Sequence, residues 1–277
     1  MLSTSAPSSS ASGRLPSAAR LGQVAQSLTI PALSVLGFFV IWQLAVVFFE
    51  IPVYLLPAPS VILVDSLANF GTLVGHTLVT LKTVLLGFAA SVLISLPLAI
   101  AITSSAKLAA VIYPILVMTQ AIPKVALAPI LVILLGTNEL PRVVVTFLVA
   151  FFPLVIAVAT GLLAVPKDLI ELGRSYRGSW LRLLWRIKLP YAVPMIFSGL
   201  KVAVTLSVVG AVVGEFVNAD AGLGYFIITS TAFFQTPLAF SALIILSVMG
   251  IVLFQLVAWT ERRFFPWSSG NAQTLVG

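Results

Sequence analysis

Six long apolar runs, each long enough to cross a lipid bilayer, constrain what this chain can fold into more than any other feature. A membrane-spanning α-helix needs about 20 mostly apolar residues. The runs lie at about 28–49, 77–103, 108–135, 141–164, 190–217 and 237–260. Only 8% of the residues are charged, compared with about 25% in an ordinary soluble domain. The pattern predicts an all-α polytopic membrane protein with six transmembrane helices.

The orientation of these helices follows from the Lys and Arg residues between them, because positively charged short loops stay in the cytoplasm. Basic residues occur in alternate connections: Arg14 and Arg20, Lys107, the segment 165–190, and Arg262 and Arg263. The loops 50–76 and 218–236 have no Lys or Arg. Arg142 is the one exception, and Glu139 three residues away offsets it. Both termini are therefore predicted to be cytoplasmic.

The same pattern divides the chain into three parts. Residues 1–27 are rich in Ser and Ala and lack the apolar core of a cleaved signal peptide. We predict a disordered cytoplasmic tail at 1–27, a single transmembrane domain at 28–267 and a short cytoplasmic tail at 268–277.

Composition also excludes several kinds of chemistry. The chain has no cysteine and one histidine, His76, so it lacks the usual ligands of a metal site and the usual members of a catalytic triad. No Gly-x-x-x-x-Gly-Lys-Ser/Thr phosphate loop occurs. We predict no metal site, no catalytic residues and no cofactor bound by this chain. The net charge of +7 does not indicate nucleic-acid binding, because basic residues in short loops set topology.

The segment 165–190 is the one densely charged stretch between apolar runs. It holds six of the 15 basic residues: Lys167, Arg174, Arg177, Arg182, Arg186 and Lys188. The last three lie closest to the next apolar run and are expected to contact lipid phosphates. One interpretation of the whole segment is a solvated loop whose basic residues only enforce topology.

A family signature favours a second interpretation. Binding-protein-dependent ABC transporter permeases have a cytoplasmic motif written Glu-Ala-Ala, three residues, Gly, nine residues, Ile, one residue, Leu-Pro. Four residues stand at the matching spacing: Glu171, Ile187, Leu189 and Pro190. The motif's two alanines and its glycine are replaced by Leu172, Gly173 and Arg177, with Gly178 one residue later. The chain resembles this family over about 50–267.

Four further segments resemble the nitrate, sulfonate and taurine branch of these permeases. They are AIPKVALAPILVILLG (121–136), FFPLVIAVATGL (151–162), VVGEFVNADAGLGY (212–225) and WTERRFFPW (259–267). That branch also contains importers of thiamine pyrimidine precursors and other small heterocycles, and TPLAF (236–240) and PKVALAP (123–129) lean toward that type.

The resemblance implies a type I (MetI-like) importer of the bacterial inner membrane: a homodimer of six-helix subunits. A cytoplasmic ABC ATPase dimer, which uses ATP and Mg, would bind below, and an extracytoplasmic solute-binding protein would deliver a small polar or anionic organic solute. The segment 165–190 would couple the two. The residues implied in coupling are Asp168, Leu169, Glu171, Leu172, Gly173, Tyr176, Arg177, Gly178, Ile187, Leu189 and Pro190.

The chemistry of the segment suits that role. If 167–178 is helical, Leu169, Leu172 and Tyr176 fall near one face, while Asp168 and Glu171 occupy the first turn, where the helix dipole favours acidic groups. Such a helix can wedge into a groove on an ATPase surface.

Polar residues within the apolar runs are the candidates for a substrate pathway, because burying them in lipid is costly. The candidates are Thr119, Gln120, Lys124 and Ser207. Lys124 lies between Pro123 and Pro129, which break a helix and free carbonyl groups. The alternatives are that Lys124 extends to the interface or pairs with Glu215, and that the other three make ordinary interhelical contacts.

Glu215, Asn218 and Asp220 cluster at the outer end of the fifth run. The resemblance suggests an outer gate or a contact with the binding protein, and a plain helix-ending turn is the alternative. Two other functions stay open for the chain: a secondary carrier or channel without an ATPase, and an intramembrane enzyme. Neither explains the segment 165–190.

Overall fold

The computed structural model describes residues 17–268, and the side chains of residues 33–105 and 107–268. This part of the chain forms eleven α-helices and no β-strand. The first helices are α1 (Ser17–Phe48), α2 (Pro59–Ala68), α3 (Phe70–Ser104), α4 (Ala106–Ala121), α5 (Ala128–Leu135) and α6 (Leu140–Leu163). They are followed by α7 (Lys167–Ser175), α8 (Trp180–Leu183), α9 (Leu189–Val217), α10 (Leu223–Ala232) and α11 (Thr236–Phe264). A 3-10 turn at Lys124–Leu127 precedes α5, and a π-helical turn at Leu184–Lys188 precedes α9.

The all-α prediction is confirmed, and the apolar runs correspond to helices. Among the described residues, four helices are long and apolar enough to cross a bilayer: α3, α6, α11, and α8 to α9 taken together. A fifth candidate is the pair α4 and α5, which meet at an angle of 82°. Helix α1 contributes a shorter apolar stretch at Leu33–Phe48. The count of six spans stays a prediction.

The boundaries of the predicted tails stay predictions. Residues 17–27, at the end of the predicted N-terminal tail, lie in the first turns of α1. The reason is composition, since SAARLGQVAQS is rich in Ala, Leu, Gln and Arg, which are strong helix formers. Residues 1–16 and 269–277 of the predicted tails lie outside the described part. Ser268 is buried and donates a hydrogen bond to Glu261 at 2.6 Å.

The close packing of α6 against α9 forms the centre of the core. A Cβ atom at Gly210 would lie 2.8 Å from Thr146 Cα, and one at Gly199 would lie 2.5 Å from Ala157 Cβ. Only glycine allows such close approach of two helix backbones, as in other membrane helices. Fully buried Leu154, Val158 and Ala203 fill the adjoining space.

The α6–α9 contacts also indicate depth in the membrane. Gly214 faces Arg142 at one end, and Gly161 faces Ala192 at the other. The helix from residue 142 to residue 161 rises about 28 Å at 1.5 Å per residue, close to the bilayer core of about 30 Å. We call the Gly161–Ala192 level the inner end, because it adjoins the basic segment 165–190, and the Arg142–Gly214 level the outer end.

The remaining spans pack around this pair. Helix α3 runs parallel to α6, with Ser91 and Ser95 donating to the carbonyls of Phe147 and Phe151 at 3.1 and 3.2 Å. Helix α11 is joined to α9 by an ion pair between Lys201 and Glu261, at 2.5 Å. A buried carboxylate on the neighbouring helix therefore holds the Lys201 ammonium group.

Candidate functional site

Helix α7 presents an exposed face at the inner end. Leu169, Leu172 and Tyr176 are 40%, 55% and 79% exposed, although apolar side chains of this size are usually buried. Glu171 is exposed beside them, and Asp168 lies in the first turn. Pro166 precedes the helix, which ends at Ser175. Tyr176, which was expected within the helix, is instead its C-cap.

The turn after α7 explains why the family signature has a glycine at this point. Arg177 has φ +52°, in the left-handed region, which costs a non-glycine residue about 1–2 kcal/mol. Its backbone N–H donates to the Arg174 carbonyl at 2.8 Å, and that of Gly178 donates to the Gly173 carbonyl at 3.1 Å. The Arg177 substitution therefore keeps the turn at the expected position, at a conformational cost.

Gly173 holds α7 against the start of the long helix that follows. A Cβ atom there would lie 2.8 Å from Ile187 Cδ1 and 3.0 Å from Leu183 Cδ2. The π-helical turn continues directly into α9, whose first residues are Leu189 and Pro190. The signature residues are thus brought into one continuous unit, in which Gly173 of α7 lies against Ile187 just before α9.

The four pathway candidates differ in accessibility. Helix α4 ends at Ala121, and every described side chain of α4 is exposed or half-buried. Thr119 is half-buried and donates to the Ile115 carbonyl, and Gln120 is exposed. Ser207 is fully buried and donates to the Ala203 carbonyl at 2.8 Å. Its hydroxyl is therefore engaged inside the core in this structure.

Lys124 contacts an aromatic ring of α6 and a backbone carbonyl of α4. Its Nζ lies 4.8 Å from the centroid of the Phe152 ring, a cation–π arrangement, and 3.5 Å from the Gln120 carbonyl. The alternative ion pair between Lys124 and Glu215 is not formed. Arg142, in the first turn of α6, packs against Gly214 next to Glu215, but the described residues record no ion pair between Arg142 and Glu215 either.

A buried polar cluster closes the outer end. Glu215 is only 1% exposed, and its Oε2 accepts hydrogen bonds from Thr80 Oγ1 at 3.0 Å and from the Gly224 N–H at 2.8 Å. Thr80 Oγ1 in turn accepts from the Leu223 N–H at 2.7 Å. His76 Nδ1 accepts from the Gly222 N–H at 3.0 Å. We call these three side chains and the three backbone N–H groups that they bind, together with Arg142, the outer cluster.

Arg142 supplies the opposite charge in the outer cluster. It is 9% exposed, and its Nη1 donates to the Ala221 carbonyl at 3.4 Å. Within the described residues, Arg142 Nε and Glu215 Oε1 are buried without a hydrogen-bond partner. A buried carboxylate is stable only near a positive group or hydrogen-bond donors. Arg142 is the positive group in this cluster.

Gly222 is required by the geometry of the cluster. Its φ of +121° is open to glycine but not to other residues, and a Cβ atom would lie 2.5 Å from Glu215 Oε1. The loop backbone can therefore approach the carboxylate only with glycine here. Of the other outer candidates, Asn218 is half-buried as the C-cap of α9 and Asp220 is exposed.

Sequence reasoning missed three members of the outer cluster. His76 and Thr80 lie four residues apart on one face of α3, a spacing that marks a polar stripe in an otherwise apolar helix. Arg142 was interpreted as an exception to the charge rule, with Glu139 as its offset. Instead Lys82 binds Glu139 at 2.7 Å, and this hydrogen bond lowers the pKa of Glu139.

The described residues contain no group of three or more His, Asp or Glu side chains that could hold a metal ion.

Residues 91–266 match the family described as the inner membrane component of binding-protein-dependent transport systems. The chain is 37% identical to an ABC transporter permease protein of Haemophilus influenzae, over 86% of this chain and 97% of that protein. It is 33% identical to the formylaminopyrimidine transport permease protein ThiX of Halalkalibacterium halodurans, over 86% and 95%. It is 28% identical to the aliphatic sulfonates transport permease protein SsuC of Bacillus subtilis, over 87% of both.

The fold also matches a solved structure. A chain of the MetNI methionine ABC transporter, in an inward-facing conformation, superposes with a TM-score of 0.60 at 19% sequence identity. The match covers 72% of this chain and 97% of that one. The similarity shows a shared fold.

Proposed function

The chain belongs to the family of inner membrane components of binding-protein-dependent transport systems and is an ABC importer permease of type I fold; from this premise we propose that it transmits ATP-driven motion through α7. The observation that carries the proposal is the seating of an exposed, amphipathic α7 on Ile187 and Leu183, directly before α9. The chain has no phosphate loop of its own, so hydrolysis falls to a separate ATPase dimer that uses ATP and Mg.

The coupling residues divide into two groups in this proposal. Asp168, Leu169, Glu171, Leu172 and Tyr176 would contact the ATPase, because their side chains are on or beside the exposed face. Gly173, Arg177, Gly178, Ile187, Leu189 and Pro190 would hold α7 in place and pass its motion to α9. The first group would determine how the ATPase binds, and the second would determine how the motion of α7 reaches α9.

The outer cluster is proposed as the outer gate. Its hydrogen bonds tie the loop 221–224 to α3, α6 and α9, so the loop and α10 move away only if those bonds break. Glu215 would act as the latch, and Asn218 and Asp220, on the turn beside it, would meet the solute-binding protein.

The broken span α4–α5 supports a homodimer. Gln120 is exposed in a single copy, and Thr119 and Lys124 are half-buried beside it. Polar groups at membrane depth face protein or a wet cavity rather than lipid. A second copy of the chain would cover this surface and form a pathway between the two subunits. Ser207, which is buried in the core, would support the pathway wall rather than contact solute in this conformation.

The dimer is testable by crosslinking, because the chain has no cysteine. Gln120→Cys is expected to crosslink between two copies with a bifunctional thiol reagent, and Leu93→Cys, which is 73% exposed on α3, serves as the lipid-facing control. Equal crosslinking at the two positions would contradict the proposed interface.

The solute is proposed to be a small polar organic molecule, and two candidate classes have specific support. A pyrimidine of the kind named for ThiX is favoured by the higher identity, 33% against 28%. An anion such as an aliphatic sulfonate is favoured by Lys124, the one basic residue in the broken span beyond Lys107.

The complete proposal is tested by affinity capture of this chain from detergent-solubilised native membrane, followed by mass spectrometry. Recovery of an ATPase and a solute-binding protein is expected, and the ligand retained by that binding protein then decides between the two solute classes. Recovery of the chain alone, under conditions that preserve a known ABC complex, would favour the carrier alternative.

A further inference from the structure

A small basic cavity at the inner end has no role in the function described above. It lies between α7 on one side and α8 with the π-helical turn on the other, and its volume is about 200 Å³. Its lining residues are Ile170, Arg174, Gly178, Trp180, Leu183 and Lys188. Two of these are cations and none is acidic, so the cavity has the charge to attract an anion.

The two cations are available for a ligand. Across residues 17–268, the structure records no ion pair or side-chain hydrogen bond for Arg174 or Lys188, and the two ion pairs it does record involve Lys82 and Lys201. Arg174 offers a planar guanidinium that can donate two hydrogen bonds to one phosphate, and Lys188 offers a compact charge.

The position of the cavity matches the headgroup layer of the bilayer. Lys188 lies one helix turn before Ala192, which marks the inner end of the membrane core. Nearby, Trp180, Leu181 and Trp185 are 47%, 58% and 68% exposed. Trp side chains concentrate at the membrane interface, where an apolar ring meets a polar headgroup. The exposed surface next to the cavity therefore suits the upper part of an acyl chain.

The cavity opens away from the proposed ATPase contact. Ile170 and Arg174 are one turn apart on α7, on the side opposite Leu169, Leu172 and Tyr176 in a helix of 3.6 residues per turn. An ATPase bound to the exposed face would leave the cavity free. Its volume is also below the about 300–1,000 Å³ of pockets for whole drug-sized ligands, so it suits a headgroup.

We propose that this cavity binds the phosphate group of an anionic phospholipid from the cytoplasmic leaflet, held by Arg174 and Lys188 beside Trp180. A bound lipid would fill the space between α7 and the start of α9. It would thereby hold the two elements at a fixed separation. This inference does not depend on the identity of the transported solute or on the outer gate.

The test uses the full complex with its ATPase, placed in nanodiscs of phosphatidylcholine mixed with phosphatidylglycerol. Native mass spectrometry then counts the phosphatidylglycerol molecules retained. Each neutralised cation is expected to weaken retention about fivefold, so Arg174→Gln and Lys188→Gln each show a loss and their combination a larger one. Lys82→Gln, which neutralises a cation at the outer end that is paired with Glu139, is expected to retain lipid like the wild type.

Two further variants separate loss of charge from loss of structure. Arg174→Lys and Lys188→Arg keep the positive charge and are expected to restore most of the retention. Unchanged retention in the double Gln variant would overturn the proposal. Displacement of the lipid by inorganic phosphate at equal concentration would assign the cavity to a free anion, and loss of the ATPase with lipid retained would assign it to a protein contact; either result overturns the lipid assignment.

Discussion

The two ends of the bundle are built in opposite ways. At the inner end, α7 and the start of α9 lie within 165–190, and the side chains proposed to meet a partner are exposed. At the outer end, Glu215 is 1% exposed and its partner Thr80 is 135 residues away in the chain. His76 and Gly222 are separated by 146 residues. A surface that receives a partner is local and open, whereas a gate that closes on itself is distant in sequence and buried.

The difference has a physical cause. A contact with another protein requires a face left exposed in the free subunit, so its residues follow one helix. A gate would join helices that move relative to one another, and the bonds of the outer cluster connect α3, α6 and α9 to the loop before α10. Substitutions at the two ends should therefore separate into effects on coupling and effects on stability.

The largest effect on stability is expected at Glu215. Glu215→Ala removes the acceptor of the Thr80 and Gly224 donors and the negative charge of a cluster in which Arg142 is buried. The free energy of unfolding should fall by about 3–5 kcal/mol, measured from thermal unfolding in detergent. Glu50→Ala, at an exposed glutamate, is the control. An unchanged unfolding midpoint in Glu215→Ala would mean that the cluster does not hold the outer end.

Gly222→Ala should have the next largest effect. A residue with a Cβ atom is strained at φ +121°, which costs about 1–3 kcal/mol, and the atom would overlap the Glu215 carboxylate. We expect a lower unfolding midpoint and a displaced loop. Gly250→Ala, where nothing lies within 4 Å of the added atom, should leave the midpoint near that of the wild type. Equal midpoints for both variants would contradict the geometry of the loop.

Gly173→Leu should act on coupling rather than on the outer end. Its side chain would push α7 away from Ile187 and Leu183, and overpacking of this kind costs about 1–3 kcal/mol. ATP-dependent uptake should fall about tenfold, while the protein stays folded in the membrane. Gly75→Leu introduces the same side chain where nothing lies within 4 Å. Normal uptake by Gly173→Leu would argue that α7 need not be seated on the π-helical turn.

The smallest effect is expected at Lys82, whose pair with Glu139 is exposed and worth at most about 1 kcal/mol. Because Lys82 lowers the pKa of Glu139, the pair stabilises the folded state above the ordinary pKa of a glutamate. That contribution is lost as pH falls through the lowered pKa. Lys82→Gln should remove this part of the pH dependence of unfolding. An identical pH profile in both proteins would show that the pair contributes nothing.

The contrast between the two ends also explains what the sequence could predict. The apolar runs predicted the spanning helices, and the spacing from Glu171 to Pro190 identified the segment of α7 and α9, because both signals are local. The outer cluster was only partly predicted: Glu215 was singled out, but its partners His76, Thr80 and Arg142 were not. Their proximity depends on how α3, α6 and α9 pack, and one sequence does not specify those long-range contacts.

Two further differences have the same origin. Lys124 was a candidate for the pathway, for extension to the interface or for a pair with Glu215. The fold sets it against the Phe152 ring after Pro123, without the pair, and its place on the pathway stays a prediction. The helix α7 was expected to include Tyr176, but the left-handed conformation at Arg177 ends it at Ser175. An arginine in the sequence does not indicate a left-handed backbone conformation. The glycine that the family signature has at this position was the only indication of it.

The central claim is that α7 couples this permease to an ATPase, and reversing the charge of Glu171 tests it most directly. We would reconstitute Glu171→Lys with its ATPase and binding protein in proteoliposomes and measure ATP-dependent uptake, with Glu50→Lys as the charge-reversal control. The account predicts that Glu171→Lys inserts normally but transports nothing, while Glu50→Lys transports like the wild type. Normal uptake by Glu171→Lys would contradict the account.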